Sequence, residues 1–195
     1  RERCPGLLVE TLVGDFGGRL ADVHTVLAAT PDVFAHNIEV VRRLTPSIRD
    51  QRCDYDRSLE VLRHAKERAP ERFVKSSVMV GIGEGDDEVE RTLTDLRAVG
   101  VDVVTLGQYL RPSSKHAPVH RYVEPRRFEA WAELGRELGF AHVASGPLVR
   151  SSYHAAEAFI SALVRPSAPA PQASSGAAPA GFVPAGRLRR RTADG

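Results

Sequence analysis

Cysteine is almost absent. Cys4 and Cys53 are the only two in 195 residues, they lie far apart, and no Cys-x-x-Cys pair occurs. A disulfide framework is therefore not expected, and a reducing compartment is favoured. Long apolar runs are also missing. A stretch such as Val101–Leu106 breaks off well short of membrane-spanning length, so no membrane partner is expected. Excess charge of one sign is missing too: 27 Lys and Arg face 25 Asp and Glu, a balance that argues neither for nor against nucleic acid, and no nucleic-acid partner is expected. No Gly-x-Gly-x-x-Gly opens a helix after the first strand, which disfavours a doubly wound dinucleotide fold. Neither Gly-x-Ser-x-Gly nor the P-loop pattern is present, so serine-hydrolase and P-loop readings lose their main support.

What is there is the composition of an ordinary folded domain, 42% apolar and 27% charged, long enough for a real core. Short runs rich in β-branched residues predict strands over Leu7–Val13, Val33–Ile38, Phe73–Val80, Val101–Leu106 and His142–Ala144. Helical stripes fall between them: Leu20, Val23 and Leu27; Tyr55, Leu59 and Leu62; Val89, Leu93 and Leu96; Phe128, Trp131 and Leu134. Asp54 and Asp86 stand where N-caps belong, and Pro125 suits a first helical turn. The alternation predicts an α/β fold, a parallel sheet curling toward an open or partial (β/α) barrel. From residue 165 the composition turns to Ala, Pro, Ser and Gly, so the domain is expected over 1–164 and a disordered tail over 165–195. The arginine cluster Arg187, Arg189, Arg190 and Arg191 in that tail reads either as solvated charge or as a contact for an acidic partner. The chain opens on Arg1 and runs almost at once into a strand, as a fragment would, so the lack of a leader carries no weight.

In such barrels chemistry gathers where strands end. Small and polar residues stand at four consecutive strand ends: His36, Asn37 and Glu39; Lys75, Ser76, Gly81, Gly83 and Glu84; Gln108, Tyr109 and Arg111; and the stretch "ASGPLVRSSY". Gly81, Gly83 and Gly85 also fit a plain turn. Lys75, flanked by apolar residues, must pair or lower its pKa; a structural ion pair and a Schiff-base lyase lysine are both open. His116 and His120 have zinc-like spacing but no third ligand nearby, and read as loop histidines.

Four segments in order, "FAHNIE", "KSSVMVGIGE", "VDVVTLGQYLRPSSKHAPV" and "HVASGPLVRSSYHA", resemble the later two-thirds of the lipoyl synthase family, which belongs to the radical S-adenosylmethionine enzymes. The resemblance runs from about Gly6 to Phe159, and "GQYLRPS" and "GPLVRSSY" are its most specific parts. It implies a radical S-adenosylmethionine type of partial barrel truncated at its N-terminus. It also implies two [4Fe–4S] clusters, one radical and one auxiliary, with S-adenosyl-L-methionine as co-substrate. The activity implied is insertion of two sulfur atoms at C6 and C8 of a protein-bound octanoyl-lysine, the auxiliary cluster supplying the sulfur. The partners implied are octanoylated lipoyl carriers (domains of 2-oxoacid dehydrogenases and the glycine cleavage H protein), an electron donor and an iron–sulfur carrier.

Carried over residue by residue, the resemblance makes Ser152 the serine ligand of the auxiliary cluster, with Arg150, Ser151 and Tyr153 beside cluster or substrate. A serine oxygen is harder than a thiolate, so its bond to iron should be the one that opens. Helix capping by Ser151 or Ser152 is the other reading, and the two are compatible. Asn37, Glu39, Lys75, Ser76, Gln108 and Tyr109 would line the S-adenosylmethionine pocket. "IRDQR" at Ile48–Arg52 looks more like organellar members, which implies a mitochondrion, with plastid or bacterial cytoplasm as alternatives. The chain departs from the family in lacking both cysteine triplets, and in Gly14 and Val40, where Pro and Thr are usual. As given it is expected to be inactive alone. The alternatives are a non-catalytic binder of octanoyl or lipoyl carriers and, ranked lower, a Schiff-base lyase using Lys75.

Overall fold

The computed structural model describes residues 3, 4 and 6–150. Ser151, Ser152 and Tyr153, the expected boundary near residue 164 and the tail lie outside the described residues. Five strands, β1 (Glu10–Leu12), β2 (Val33–Ala35), β3 (Phe73–Val80), β4 (Val103–Gln108) and β5 (His142–Gly146), alternate with helices α1 (Leu20–Ala28), α2 (Thr45–Ile48), α3 (Tyr55–Arg68), α4 (Asp86–Ala98) and α5 (Pro125–Glu137). Every neighbouring pair is parallel, and the spatial order is β1-β2-β3-β4-β5. A doubly wound sheet reverses its order at a switch point. This one never does, as expected for part of a (β/α) barrel.

The expected elements are present with altered ends. β1 and β2 are shorter than their apolar runs, and β4 and β5 extend two residues further toward the C-terminus. The short α2, opened by Pro46 in its first turn, was not anticipated. Asp54 caps α3 as expected, its carboxylate accepting from the Arg57 amide at 2.8 Å. Asp86 does not cap α4. Gly85 takes the N-cap position, its amide donating to Glu88 Oε2 at 2.8 Å, and Asp86 becomes the first helical residue. That frees the Asp86 carboxylate for Arg121 and Arg127, at 2.6 and 2.9 Å.

The two faces of the sheet differ. Phe34, Val74, Val78, Val80, Val104 and Leu106 pack against Val23, Leu62, Leu93, Leu96, Phe128 and Trp131 in one large core. Burial of such side chains contributes about 1.5–3 kcal/mol each. The opposite face holds a separate small apolar plug, Val33 and Val103 with Leu8 and Phe73. Register follows from these assignments, because residues paired across parallel strands share a face. The face that no described helix covers therefore carries Glu10, Lys75, Ser77, Thr105 and His142 above that plug, and ends in Gly107 and Gly146.

Candidate functional site

All five strands point the same way, so the loops after them share one edge of the sheet. The most unusual backbone lies there. Ala35 pairs with Lys75, and the next bridge joins Glu39 to Val78. Four steps on one strand thus match three on the other, the signature of a bulge, which re-aims side chains. The extra residue is accommodated at Glu39, whose φ of 67° is unusual for a side-chain-bearing residue. The bulge is pinned on both sides: the Glu39 amide donates to Ser77 O at 3.0 Å, and Met79 donates to Glu39 O at 2.7 Å. Ile38 and Val40 are buried in the helix-side core, while Asn37 and Glu39 remain partly exposed. Neither side chain makes a hydrogen bond to a described residue.

Lys75 and Ser76, expected to face one pocket, lie on opposite faces, as neighbours on a strand must. Lys75 is 2% exposed, and its Nζ donates to Glu10 Oε1 and Oε2 at 2.9 and 2.8 Å. The paired reading of this lysine holds; an amine locked in an ion pair is not the free nucleophile a Schiff-base lyase needs. Ser76 sits on the helix side, where its Oγ accepts from the Ile38 amide at 3.1 Å. It braces the bulge and is fully buried there.

Gln108 and Tyr109 hold the loop after β4. Gln108 Nε2 donates to the carbonyls of Tyr109 and Arg121 at 3.0 and 3.1 Å, and its Oε1 accepts from Val123 N at 2.9 Å. Tyr109 Oη donates to Ala117 O at 3.0 Å. Both side chains are nearly buried and occupied with backbone. Glu84 is spent in the same way. Its carboxylate accepts from the amides of Gly81, Ile82 and Gly83 at 2.7, 2.9 and 3.1 Å, filling a concave row of N–H groups that otherwise suits an anion.

Arg150, the last described residue, donates to Val149 O at 2.7 Å, and its Nη1 lies 3.7 Å from where a Cβ on Gly107 would stand. It is thus brought to the end of β4. His116 and His120 form no metal site, and no group of three or more His, Cys, Asp or Glu among the described residues is placed to hold a metal. His36 donates from Nδ1 to Val13 O at 2.9 Å, and burial, the largest influence, lowers its pKa below the usual 6.5. Burial, with Lys75 nearby, lowers that of His142 as well.

The strand-end pattern gathers Asn37, Glu39 and Arg150 toward one edge, leaves Lys75 deeper in the sheet in register with Val103, and turns Ser76, Gln108, Tyr109 and Glu84 into supports. Three residues of the face carrying Lys75 escaped the sequence reading. Glu10 is the partner of Lys75, and Thr105 Oγ1 donates to Ser77 Oγ at 2.8 Å between β4 and β3. A lone charge inside an apolar strand was the signal for Glu10, the same that singled out Lys75.

Comparison with known proteins bears on this edge. The chain is similar to a lipoyl synthase of Sorangium cellulosum, 58% identical over 89% of this chain and 50% of that protein. It is similar to one of Thermus thermophilus at 55%, covering 85% and 51%, and to a mitochondrial lipoyl synthase of Branchiostoma floridae at 52%, covering 84% and 44%. The chain belongs to the lipoyl synthase family. It spans about half the length of the curated relatives it matches, less than the two-thirds expected. No family model matches it. A hydroxymethylglutaryl-CoA lyase from Pseudomonas aeruginosa, at 14% identity and a TM-score of 0.42 over 73% of this chain, is too loose a likeness to carry an argument. As a lipoyl synthase family member the chain presents a bulged, partly exposed Asn-x-Glu beside a buried lysine. No described helix is long and apolar enough to cross a membrane.

Proposed function

We propose that this chain forms part of the barrel of a lipoyl synthase, and that the whole protein inserts two sulfur atoms at C6 and C8 of an octanoyl-lysine borne by a lipoyl carrier. The observation that carries this reading is the bulge at Asn37–Glu39. It holds an amide and a carboxylate partly exposed and without partners among the described residues, at a strand end whose backbone is fixed by Ser77, Met79 and Ser76. Strained backbone kept in place by several hydrogen bonds is found preferentially at functional sites.

The chemistry of this donor set fits S-adenosylmethionine. Asn37 and Glu39 would hold its amino, carboxylate or ribose groups, and the Lys75 ammonium would meet an acceptor oxygen. Ser76, Gln108 and Tyr109 would serve that pocket from behind, by fixing the loops that form it. When bound, the co-substrate supplies hydrogen abstraction; the chain's own residues orient it and exclude water.

The described residues do not fit an iron–sulfur cluster. Such clusters need several thiolates, whereas Cys4 and Cys53 are separate free thiols. Ser152 as an auxiliary-cluster ligand, with Arg150, Ser151 and Tyr153 around it, rests on the family motif alone. The carriers proposed are octanoylated domains of 2-oxoacid dehydrogenases and the glycine cleavage H protein, with an electron donor and an iron–sulfur carrier as helpers. A mitochondrial location is proposed from Ile48–Arg52; relatives named as mitochondrial and chloroplastic, and bacterial relatives, are all similar to the chain.

The test is anaerobic reconstitution of the protein that carries this chain at the family's full length, with iron, sulfide and reductant, followed by addition of S-adenosylmethionine and an octanoylated H protein. Mass gain of two sulfurs on the carrier, with 5′-deoxyadenosine released, is the expected outcome. Absence of both products from the loaded protein overturns the reading.

A further inference from the structure

Glu10 and Lys75 do not sit on adjacent strands. β2 runs between β1 and β3, and the ion pair crosses it on the face that no described helix covers. The crossing is possible because the β2 residue in register with Lys75 is Ala35, which has almost no side chain to obstruct it. The lysine side chain is 3% exposed and that of Glu10 is 33% exposed. An ammonium has three N–H donors. Glu10 offers two oxygens, and the third N–H has no acceptor among the described residues.

A buried pair of this kind is poor value as mere stabilisation, since desolvation offsets much of the attraction. The carboxylate does something more specific. It fixes a cation at one point of the interior, between the apolar plug of Val33, Phe73 and Val103 and the hydroxyl pair Ser77–Thr105. A donor fixed in this way before a ligand arrives loses little entropy on binding it.

We propose that Glu10 is a positioning residue: it acts through Lys75, holding the lysine's remaining N–H ready for an acceptor oxygen of a bound molecule. This rests on the proposed function, in which that molecule is S-adenosylmethionine or the octanoyl-lysine substrate. A carboxylate or carbonyl oxygen satisfies the donor in either case.

The chain has three lysines, Lys66, Lys75 and Lys115, so amine labelling can be read at each one separately. The experiment is pulse acetylation with N-hydroxysuccinimidyl acetate, followed by peptide mass spectrometry, on the cluster-loaded full-length protein. Lys66, held by Asp102 at 2.9 Å, reports folding, and exposed Lys115 reports reagent strength. In Glu10→Gln, labelling of Lys75 rises about tenfold relative to the other two, because the amine is no longer held by the two carboxylate oxygens that occupy its N–H groups. Glu10→Asp, which keeps the charge, stays closer to the parent and covers the case in which the Gln variant folds poorly.

S-adenosylmethionine or an octanoyl-lysyl peptide, added separately, then slows Lys75 labelling in the parent, and the one that does so identifies the source of the oxygen. The same concentration protects Glu10→Gln less. If Lys75 labelling in Glu10→Gln rises no more than that of Lys66 and Glu10→Asp behaves as the parent, the positioning role is overturned. It is overturned equally if both ligands bind and neither protects Lys75. If the parent binds neither ligand, the proposed function itself falls, and this inference with it.

Discussion

The hydroxyl of Ser76 accepts the Ile38 amide at 3.1 Å, joining the middle of β3 to the bulge that follows β2. Both residues are fully buried, so no water can replace either partner. One small side chain thereby fixes the backbone on which Asn37 and Glu39 are displayed.

Ser76→Ala should therefore do two things. An orphaned buried amide costs about 1–3 kcal/mol, which lowers the melting temperature by several degrees. Affinity for S-adenosylmethionine should fall with it, although Ser76 touches no ligand, since the bulge is no longer held. Differential scanning calorimetry and a binding titration on the same sample check the pair of effects; an unchanged melting temperature counts against the bracing role.

Lys75→Met leaves the Glu10 carboxylate without its cation. Breaking a buried pair costs about 3–5 kcal/mol, and partial exposure of Glu10 puts this case at or below the lower end. Replacing both, as Lys75→Met with Glu10→Leu, should recover more than half of the loss. Urea unfolding of the two single variants and the double variant forms the cycle. Additive losses would show that the two side chains do not interact.

Acid should weaken the fold in a defined window. His36 has its pKa lowered, chiefly by burial, so near pH 6.5 the unfolded chain takes up a proton that the native one refuses. Its contribution to stability is present above 6.5 and is lost as pH falls through the native value. His24 and His142, also lowered, act in the same direction. His36→Asn, whose amide can still donate to Val13 O, should flatten the slope of melting temperature against pH between about 7 and 5. An identical slope in the variant would remove His36 from the account.

Gly81→Ala should be poorly tolerated. Gly81 has φ of 98°, and a Cβ there would collide with Gln108 Nε2 and lie 2.5 Å from Arg121 O. Positive φ and a clash with backbone act together, for a loss of about 2–4 kcal/mol, with Gln108 forced off the carbonyls it now holds. Hydrogen exchange should show the amides of Tyr122 and Val123 losing protection first. Uniform loss across the sheet would place the damage elsewhere.

Much of this was legible in the sequence, and the remainder has definite causes. β3 was read to the residue because Phe73–Val74 and Val78–Met79–Val80 bracket it with apolar, mostly β-branched residues and a glycine turn follows. The four helical stripes each found their helix, since a periodic face is a local property. The bulge was not legible: it consists of a mismatch in count between two strands, Ala35 to Glu39 against Lys75 to Val78, and neither strand alone records it. Lys75 announced that it needed a partner, but nothing local could say that the partner was 65 positions away. Gln108 and Tyr109 were expected to line a ligand pocket, and the sequence could not show that their polar atoms bond backbone, because hydrogen bonds to a loop carbonyl depend on where the loop returns. Asp86 looked like a cap by residue type; the neighbouring glycine took that place because Glu88 reaches back to its amide.

The order of the strands has a consequence for assembly. β1 is at once the first strand along the chain and an outer strand of the described sheet. Any polypeptide that precedes it can add its own strands alongside without parting a single hydrogen bond among the five. It need not be joined to them by a peptide bond to do so. A sheet wound in this sequential manner offers β1 as an open edge, where a strand of the same or of another polypeptide can pair.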